Sequence, residues 1–484
     1  MLLSRNRSWI FLLFVVLFGV TASTVLFFAF GYRYSFDRGI FIYSGSITIK
    51  TLPETITIEV DGKPVPKKSL GLLNNSVHIA GLMPGEHTLK LSAPEHVTWE
   101  KRIVIESGIS REFWNIILPR LSYPLTPLIS SETISKIFPH PSKENRFVLI
   151  QELAQETSLV FYDYDTHISK QVFSLTNSQY DSSSTENLEW SWFDDGRYII
   201  LPLTHQDILK HFIIDTKDGS FFSLEDRFTL NNIRTVRWNA ENTNELLFLS
   251  DTTLYTLNLA TTDAFPHALS EDVLTYSFAD DTLYFVGTQG EVWEDQGSRL
   301  VTITPPIPFD KRVPISLTVY ERDRLALQEL DGEKRLFLVY PNPYDRLPVI
   351  KDLATKVNTI QFSNDGKKLL FATEHEIGVA FANNWEVQPR RQAGDIVQVA
   401  RFSDKISHVQ WAENYEHVVF TRGNVIKFIE LDGRDYRLLA DIQTLPMTPT
   451  QILPHFSTNE FLTLIPGSGI STFVFPEAQG LFGQ

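Results

Sequence analysis

The sequence predicts a mostly β protein. It reads as one N-terminal transmembrane helix, a small β-sandwich over residues 45–120, and a β-propeller of about eight blades over 121–484, with seven as the alternative count. Three observations predict this. An uncharged apolar run extends from Trp9 to Gly31, short alternating segments follow it, and from Leu121 onward an aromatic-led unit recurs at the length of a propeller blade.

Composition sets the outer limits. A chain of 484 residues is too long for one ordinary core, so two or more domains are expected. An apolar fraction of 43% with 12% aromatics and 21% charged residues describes a packed protein. The formal charge of −15 and the lack of any Lys/Arg block argue against a nucleic-acid partner. Cysteine is absent, which removes disulfides, thiolate metal sites and a cysteine nucleophile together.

The apolar run of about 23 residues at ~1.5 Å each spans roughly 34 Å, enough for a bilayer core. Trp9 stands at one edge, with Tyr32 and Tyr34 at the other, where amphipathic rings favour the headgroup zone. A cleaved signal peptide is the competing reading, since Val20-Thr21-Ala22 is an acceptable small-residue site. The run continues, however, from Val25 through Phe30, and a cleaved product would begin with that greasy tail. A retained anchor over 9–31, contacting the lipid bilayer, is therefore expected. Arg5 and Arg7 precede the run, whereas Arg33 and Arg38 follow it, offset by Asp37. The balance places the 1–8 stub in the cytoplasm and the bulk outside, as a single-pass protein.

Ser46–Lys50 and Thr55–Val60 alternate apolar with polar residues, the period of a half-buried strand. Asp61-Gly62 supplies a tight hairpin turn. Val77–Ile79 and His87–Leu91 continue the pattern on either side of Leu82-Met83-Pro84-Gly85, and Arg102–Glu106 closes it before Ser107-Gly108. Short strands in a unit this size suit a small antiparallel sandwich.

Leu52-Pro53-Glu54, Glu59-Val60-Asp61-Gly62-Lys63 and Leu82-Met83-Pro84-Gly85-Glu86-His87, in that order, resemble a PEGA domain. The resemblance implies a compact β module of the kind found in bacterial and archaeal envelope proteins. The sequence departs from that pattern where Thr55-Ile56 replace Gly-Ala, and where Glu95-His96 replace a Gly-Tyr pair. His78, His87 and His96 are evenly spaced, but equal spacing across separate strands does not converge ligands, so no metal site is expected. His87 is expected to pack or hydrogen-bond at its turn.

Beyond Leu121, each unit has an aromatic on a first strand, a polar turn and a strongly apolar second strand. The leading aromatics are Phe138, Trp192, Trp238, Phe278, Tyr320, Phe362, Trp411 and Phe456, roughly 40–54 residues apart. Polar turns follow at Pro141–Asn145, Asp194-Asp195-Gly196 and Asn364-Asp365-Gly366. Third strands are read at Leu159–Asp163, Phe212–Asp215, Leu254–Leu257 and Ile426–Glu430. The last unit offers strands near Gln451–Leu453, Phe461–Ile465 and Ser471–Phe475, but no fourth. An apolar candidate at Leu121–Ile129 has no blade of its own. It is expected to complete the final blade as its outermost strand, where Pro124 and Pro127 are tolerable. Ser363-Asn364-Asp365-Gly366-Lys367 resembles the Ser-Pro-Asp-Gly-Lys repeat of Tol-type propellers, related to the tryptophan-aspartate repeats, with Asn364 in place of Pro.

No Gly-x-Ser-x-Gly elbow, His-Glu-x-x-His helix, phosphate loop or calcium loop is present. Asp194-Asp195 and Asp280-Asp281 are paired acids, yet adjacent strand residues face opposite ways, and both pairs fall where a turn belongs. His140, His205, His375 and His455 share no blade position. The expectation is therefore a protein without catalytic, cofactor or metal residues. It would bind an envelope protein or glycan through propeller loops, and a propeller hydrolase acting on envelope glycan or peptide is the alternative.

Overall fold

The computed structural model describes residues 2–36, 39–65, 76–140, 143, 145–180, 189–190, 197–228, 232–239, 244–260, 265–297, 299–455 and 458–476. Residues Asp37, Arg38, Pro141, Ser142, Glu144, Trp192, Asp194, Asp195, Gly196 and Phe456, singled out above, lie outside this set.

Helix α1 runs from Leu2 to Ala29. Its Trp9–Ala29 stretch has a mean hydropathy of 2.6, touches no other part of the protein closely enough to be buried, and is long enough to cross a membrane. A hairpin follows at once, pairing β1 (Tyr32–Ser35) with β2 (Ile40–Tyr43).

The sandwich has two sheets. One holds β3 (Gly45–Leu52) between β6 (Val77–Leu82) and β9 (Ser110–Ile117). The other orders β5 (Lys63–Pro64), β4 (Thr57–Val60), β7 (Gly85–Ser92) and β8 (Trp99–Ile105). Asp61 and Gly62 both take positive φ in the β4–β5 turn, as a two-residue hairpin of this hand requires. Two features differ from the sequence reading. Thr55 and Ile56 stand outside β4, and the pattern does not close at Ile105, because β9 returns parallel to β3. The sandwich is thus not wholly antiparallel. A register shift opposite Lys50, where Asn115 takes φ +61°, bulges β9 and breaks the alternation that would have marked it.

Eight antiparallel sheets follow among the described residues, seven of four strands and one of five, and they form a propeller. Blades one to seven cover residues 134–176, 178–223, 233–270, 273–302, 315–354, 359–401 and 407–444. The described leading aromatics lie on first strands. Trp238 and Trp411 are fully buried, whereas Phe138, Phe278, Tyr320 and Phe362 are half-buried. They also stitch blades together: the Trp411 indole donates to Gln361 O at 3.0 Å in the preceding blade. One short helix, α2 (Leu224–Phe228), interrupts the strands after blade two.

Blade eight supplies three strands from 451–474, and its fourth is β10 (Thr126–Ile129), the outermost, as expected from the orphan apolar segment. Only Thr126–Ile129 of the 121–129 segment is strand; Pro127 sits on the exposed edge opposite Ser471, and Pro124 precedes the ladder. At the inner end, the Gln451 side chain accepts from Ile137 N at 2.9 Å and donates to Ile137 O at 2.8 Å, joining blade eight to blade one.

Closure can be tested at one glycine. Gly469 has φ +94°, and a Cβ there would fall 2.7 Å from Ser131 N and 3.1 Å from the Ile129 carbonyl carbon, against β10 itself. Gly467, nearby with φ +67°, faces open space. Gly467→Ala should cost about 1–2 kcal/mol for the left-handed backbone. Gly469→Ala should cost about 1–3 kcal/mol more for the added collision with β10. Urea unfolding of the detergent-solubilised chain measures both, and equal midpoints would contradict closure through this contact.

Candidate binding groove

The sandwich and propeller share one hydrophobic core. Ile47, Leu89, Trp99 and Phe113 of the sandwich are continuous with Val419, Phe428, Ile442, Phe461 and Phe475 of blades seven and eight. Tyr123, in the connecting segment, packs edge-on against Phe475 at 5.6 Å.

A charged pair crosses this joint. Strand β8 alternates strictly, with Trp99, Lys101, Ile103 and Ile105 all inward. Lys101 Nζ meets Glu430 Oε1 at 2.6 Å, the two side chains being 1% and 5% exposed, and it donates to Asp432 O at 2.8 Å. The Trp99 indole donates to the other Glu430 oxygen at 3.0 Å, and Leu438 N donates to Oε1 at 2.7 Å. Burial pushes the Glu430 carboxyl up, with Lys101 opposing that rise. Arg434 adds a second tie. Its guanidinium lies 3.8 Å over the Phe113 ring, donates to Glu112 O at 2.7 Å and pairs with Asp432 at 2.6 Å.

A groove runs beside this clamp, under the propeller loops that join first to second and third to fourth strands. Its larger part has a volume of about 320 Å³ and is lined by Lys50, Trp114 and Asn115 from the sandwich against Trp385, Gln388, Arg391, Glu416 and Asp432. A second part of about 230 Å³ continues past Lys50 and Asn115 toward Asn414 and Pro476. The β9 bulge turns Trp114 and Asn115 toward this space. Opposite it, residues 385–391 form a small loop pinned by Trp385 N to Arg391 O at 2.9 Å and the reciprocal bond at 3.0 Å. Gln388 fastens the loop to the sandwich, accepting from Glu112 N at 3.2 Å and donating to Ser110 O at 3.1 Å.

The two acids of the larger part, Glu416 and Asp432, are engaged internally. Glu416 lies 2.5 Å from Lys368 Nζ, itself 4.1 Å above the Trp385 ring; burial raises the Glu416 carboxyl, and Lys368 offsets only part of this. Burial also acts to raise Asp432, but Arg434 and Lys101 hold it below the usual carboxylate range. His417, buried against Phe428 at 4.5 Å, is held down to about 3 by burial and by the Lys368 and Lys101 charges. The arrangement offers two half-exposed indoles and the cations Lys50 and Arg391 to an incoming ligand.

Among the described residues, none of those weighed from sequence as site candidates lines this groove. His78 contacts Thr48 at 3.1 Å, His87 contacts Asp61 at 2.7 Å and Met83 O at 2.6 Å, and His96 contacts Pro94 O at 2.5 Å, so the three do not converge. His87 does hydrogen-bond at its turn. Asp280 and Asp281 form the first turn of blade four, Asp280 with φ +48°. The groove residues escaped the sequence reading because they come from strands and loops about 300 positions apart. One signal was present: Lys101 sits in the inward register of an apolar strand.

No protein-family model matches the chain, and no curated protein matches it. Among solved structures it is similar to the Dos1 propeller, with 11% identity, 74% of this chain and 97% of that one covered, and a TM-score of 0.48. It is also similar to the WD40 domain of SCAP from fission yeast, with 12% identity, coverages of 73% and 98%, and a TM-score of 0.43. A third is the β-propeller domain of Cps50 (Swd1) from Myceliophteria thermophila, at 13%, 72%, 99% and 0.40 respectively. Such identities say nothing of ligand or activity, and the propeller is read from its own strand order.

Two outcomes follow from the clamp. Lys101→Met strands the Glu430 carboxylate in the joint and should cost about 3–5 kcal/mol in urea unfolding, whereas Lys101→Met with Glu430→Gln recovers most of it. An additive pair of losses would refute the coupling. The second concerns pH. His417 is neutral when folded, with a value near 3 against an ordinary 6.5. The unfolded chain therefore takes up the proton first, and this contribution is complete above pH ~6.5 and is lost on acidification by about 1.4 kcal/mol per unit. His417→Phe, which keeps the stacking on Phe428, should remove that slope from the stability profile between about pH 6 and pH 4. An unchanged slope would show that His417 is not the group responsible.

Proposed function

We propose that this chain is a membrane-anchored binding protein of the cell envelope that holds a protein or glycan ligand in the groove between its sandwich and its propeller. The observation that carries this reading is the pairing of Trp114 and Trp385 with Lys50 and Arg391 around one cleft, while Glu416 and Asp432 are committed to Lys368 and Arg434. Flat indole faces beside cations suit recognition, because aromatic anchors and Arg dominate binding energy where loops meet on a rigid scaffold. The apolar α1 supports attachment to a bilayer, and the basic residues before it support a cytoplasmic N-terminus with the propeller outside. The PEGA-like motifs in the sandwich and the Tol-like Ser363–Lys367 turn support an envelope setting by resemblance.

One observation favours the hydrolase alternative. Two acids in one cleft, Glu416 pushed up and Asp432 held down, have the split that acid–base pairs use. A single experiment separates the two readings. The full-length chain in detergent is incubated with cell-wall glycan fragments and with peptide libraries, and binding and product are both followed. Under the binding reading, Trp114→Ala and Trp385→Ala each weaken affinity by about tenfold or more with unfolding midpoints little changed. Product that forms with the unaltered chain and disappears with Glu416→Gln would replace binding by hydrolysis.

A further inference from the structure

We infer that the β1–β2 hairpin lies in the headgroup layer of the bilayer, as an aromatic foot beside the end of α1. The inference rests on α1 being a retained membrane span. Its ground is an apolar surface that would be out of place in water. Phe36 is 88% exposed, Ile40 55%, Phe41 44%, Tyr43 44% and Tyr34 41%, all within one short hairpin. An isolated two-stranded hairpin is marginal in water, and a contiguous exposed apolar patch marks a contact surface.

Position identifies what covers it. Only Phe30 and Gly31 separate Ala29 from Tyr32, a reach of at most about 10 Å, comparable to the thickness of one headgroup layer. The hairpin does not use even that reach, because it folds back alongside the helix. Phe41 stacks on Phe27 at 5.5 Å and meets Phe28 edge-on at 6.5 Å, and Tyr32 meets Phe27 at 5.3 Å. These rings sit level with the last turns of the span. Tyr32, Tyr34 and Tyr43 present both an apolar face and a hydroxyl, the chemistry that favours the interface over either water or hydrocarbon.

The backbone at this depth is also provided for. Carbonyls at a helix C-terminus lack intrahelical partners, which is costly where water is scarce. Arg33 donates from Nη1 to Phe28 O at 3.0 Å and to Tyr32 O at 2.9 Å, with its guanidinium 5.1 Å over the Phe28 ring. Ser44 Oγ donates to Gly31 O at 2.5 Å. On its other side the hairpin is fastened to the sandwich. Ser107 Oγ donates to Tyr43 O at 2.8 Å, and Tyr43 packs so closely on Gly108 that a Cβ there would fall 2.5 Å from its ring. Helix, hairpin and sandwich therefore meet without a free linker, and the foot sets the tilt of the ectodomain on the membrane.

Because the chain has no cysteine, single sites can be labelled cleanly. Phe36→Cys, Ile40→Cys and Val16→Cys full-length chains carry an environment-sensitive fluorophore in phosphatidylcholine–phosphatidylglycerol vesicles, with nitroxide lipids labelled near the headgroup or near the chain end. The Val16 label should be quenched most by the deep nitroxide. The Phe36 and Ile40 labels should be quenched at least about twofold more by the shallow nitroxide than by the deep one. A quenched Val16 label with Phe36 and Ile40 labels reached only by aqueous iodide leaves the span standing and overturns the foot. Phe36 and Ile40 labels shielded from iodide and from both lipids point to protein cover and also overturn it. An unquenched Val16 label removes the span, and the inference falls with it.

Discussion

The constraint on which the rest of the structure depends is the closure of the propeller ring by β10. A blade of three strands would leave a row of unpaired backbone groups beside its neighbour, and blade eight meets that need with chain that has just left the sandwich. Closure therefore does two things at once. It joins the first and last blades, and it forces the end of β9 to lie within the short 118–125 segment of the ring's edge. The sandwich cannot drift away from blades seven and eight while the ring is shut, and Tyr123, buried between them, turns that tether into shared core.

Proximity alone does not select an angle. Apolar contact is non-directional, so a sandwich held against a flat loop face could slide over it at little cost. Lys101 removes that freedom. Its ammonium is buried and is satisfied in one place, between Glu430 and the Asp432 carbonyl, with Trp99 completing the carboxylate's partners. Any rotated docking would bury both charges unpaired, which costs several kcal/mol. Arg434 over Phe113 and the Gln388 amide between Glu112 and Ser110 then hold the neighbouring strand and loop. The groove is a product of this exact docking, since Trp114 belongs to one partner and Trp385 to the other.

How much of this was legible in the sequence differs by element. Strands that alternate were read directly, as at Ser46–Lys50, as were blades whose second strand is continuously apolar, as at Leu369–Phe371. The closing strand was legible by subtraction: one blade lacked a strand and one apolar segment lacked a blade. Strand β9 was not read, because the bulge at Trp114-Asn115 breaks its period and its partner β3 lies some 60 residues away. The groove was out of reach for a similar reason. Its lining combines residues of the first 120 positions with loops near 385–391 and 431–434, and no local pattern links them. Lys101 is the exception. A lysine in the inward register between Trp99 and Ile103 announces a buried cation, and a buried cation requires an anion from elsewhere.

The same logic orders the protein from its apolar helix to its groove. At each joint a polar side chain is spent on fixing geometry: Arg33 at the end of α1, Ser107 at the hairpin, Lys101 at the sandwich, Gln451 at the ring. A propeller carried on a flexible linker would sample many heights and tilts, and a ligand would find it at no fixed distance from the bilayer. Here consecutive elements are joined by packed, hydrogen-bonded contacts and the connections are short. If α1 spans the membrane and the groove binds as proposed, Trp114 and Trp385 would present a ligand at a defined height and orientation above it. Rigidity of this kind lowers the entropy lost on binding. On the proposed reading it would also restrict the groove to ligands that reach it at that height, and the anchor would contribute to specificity as well as to attachment.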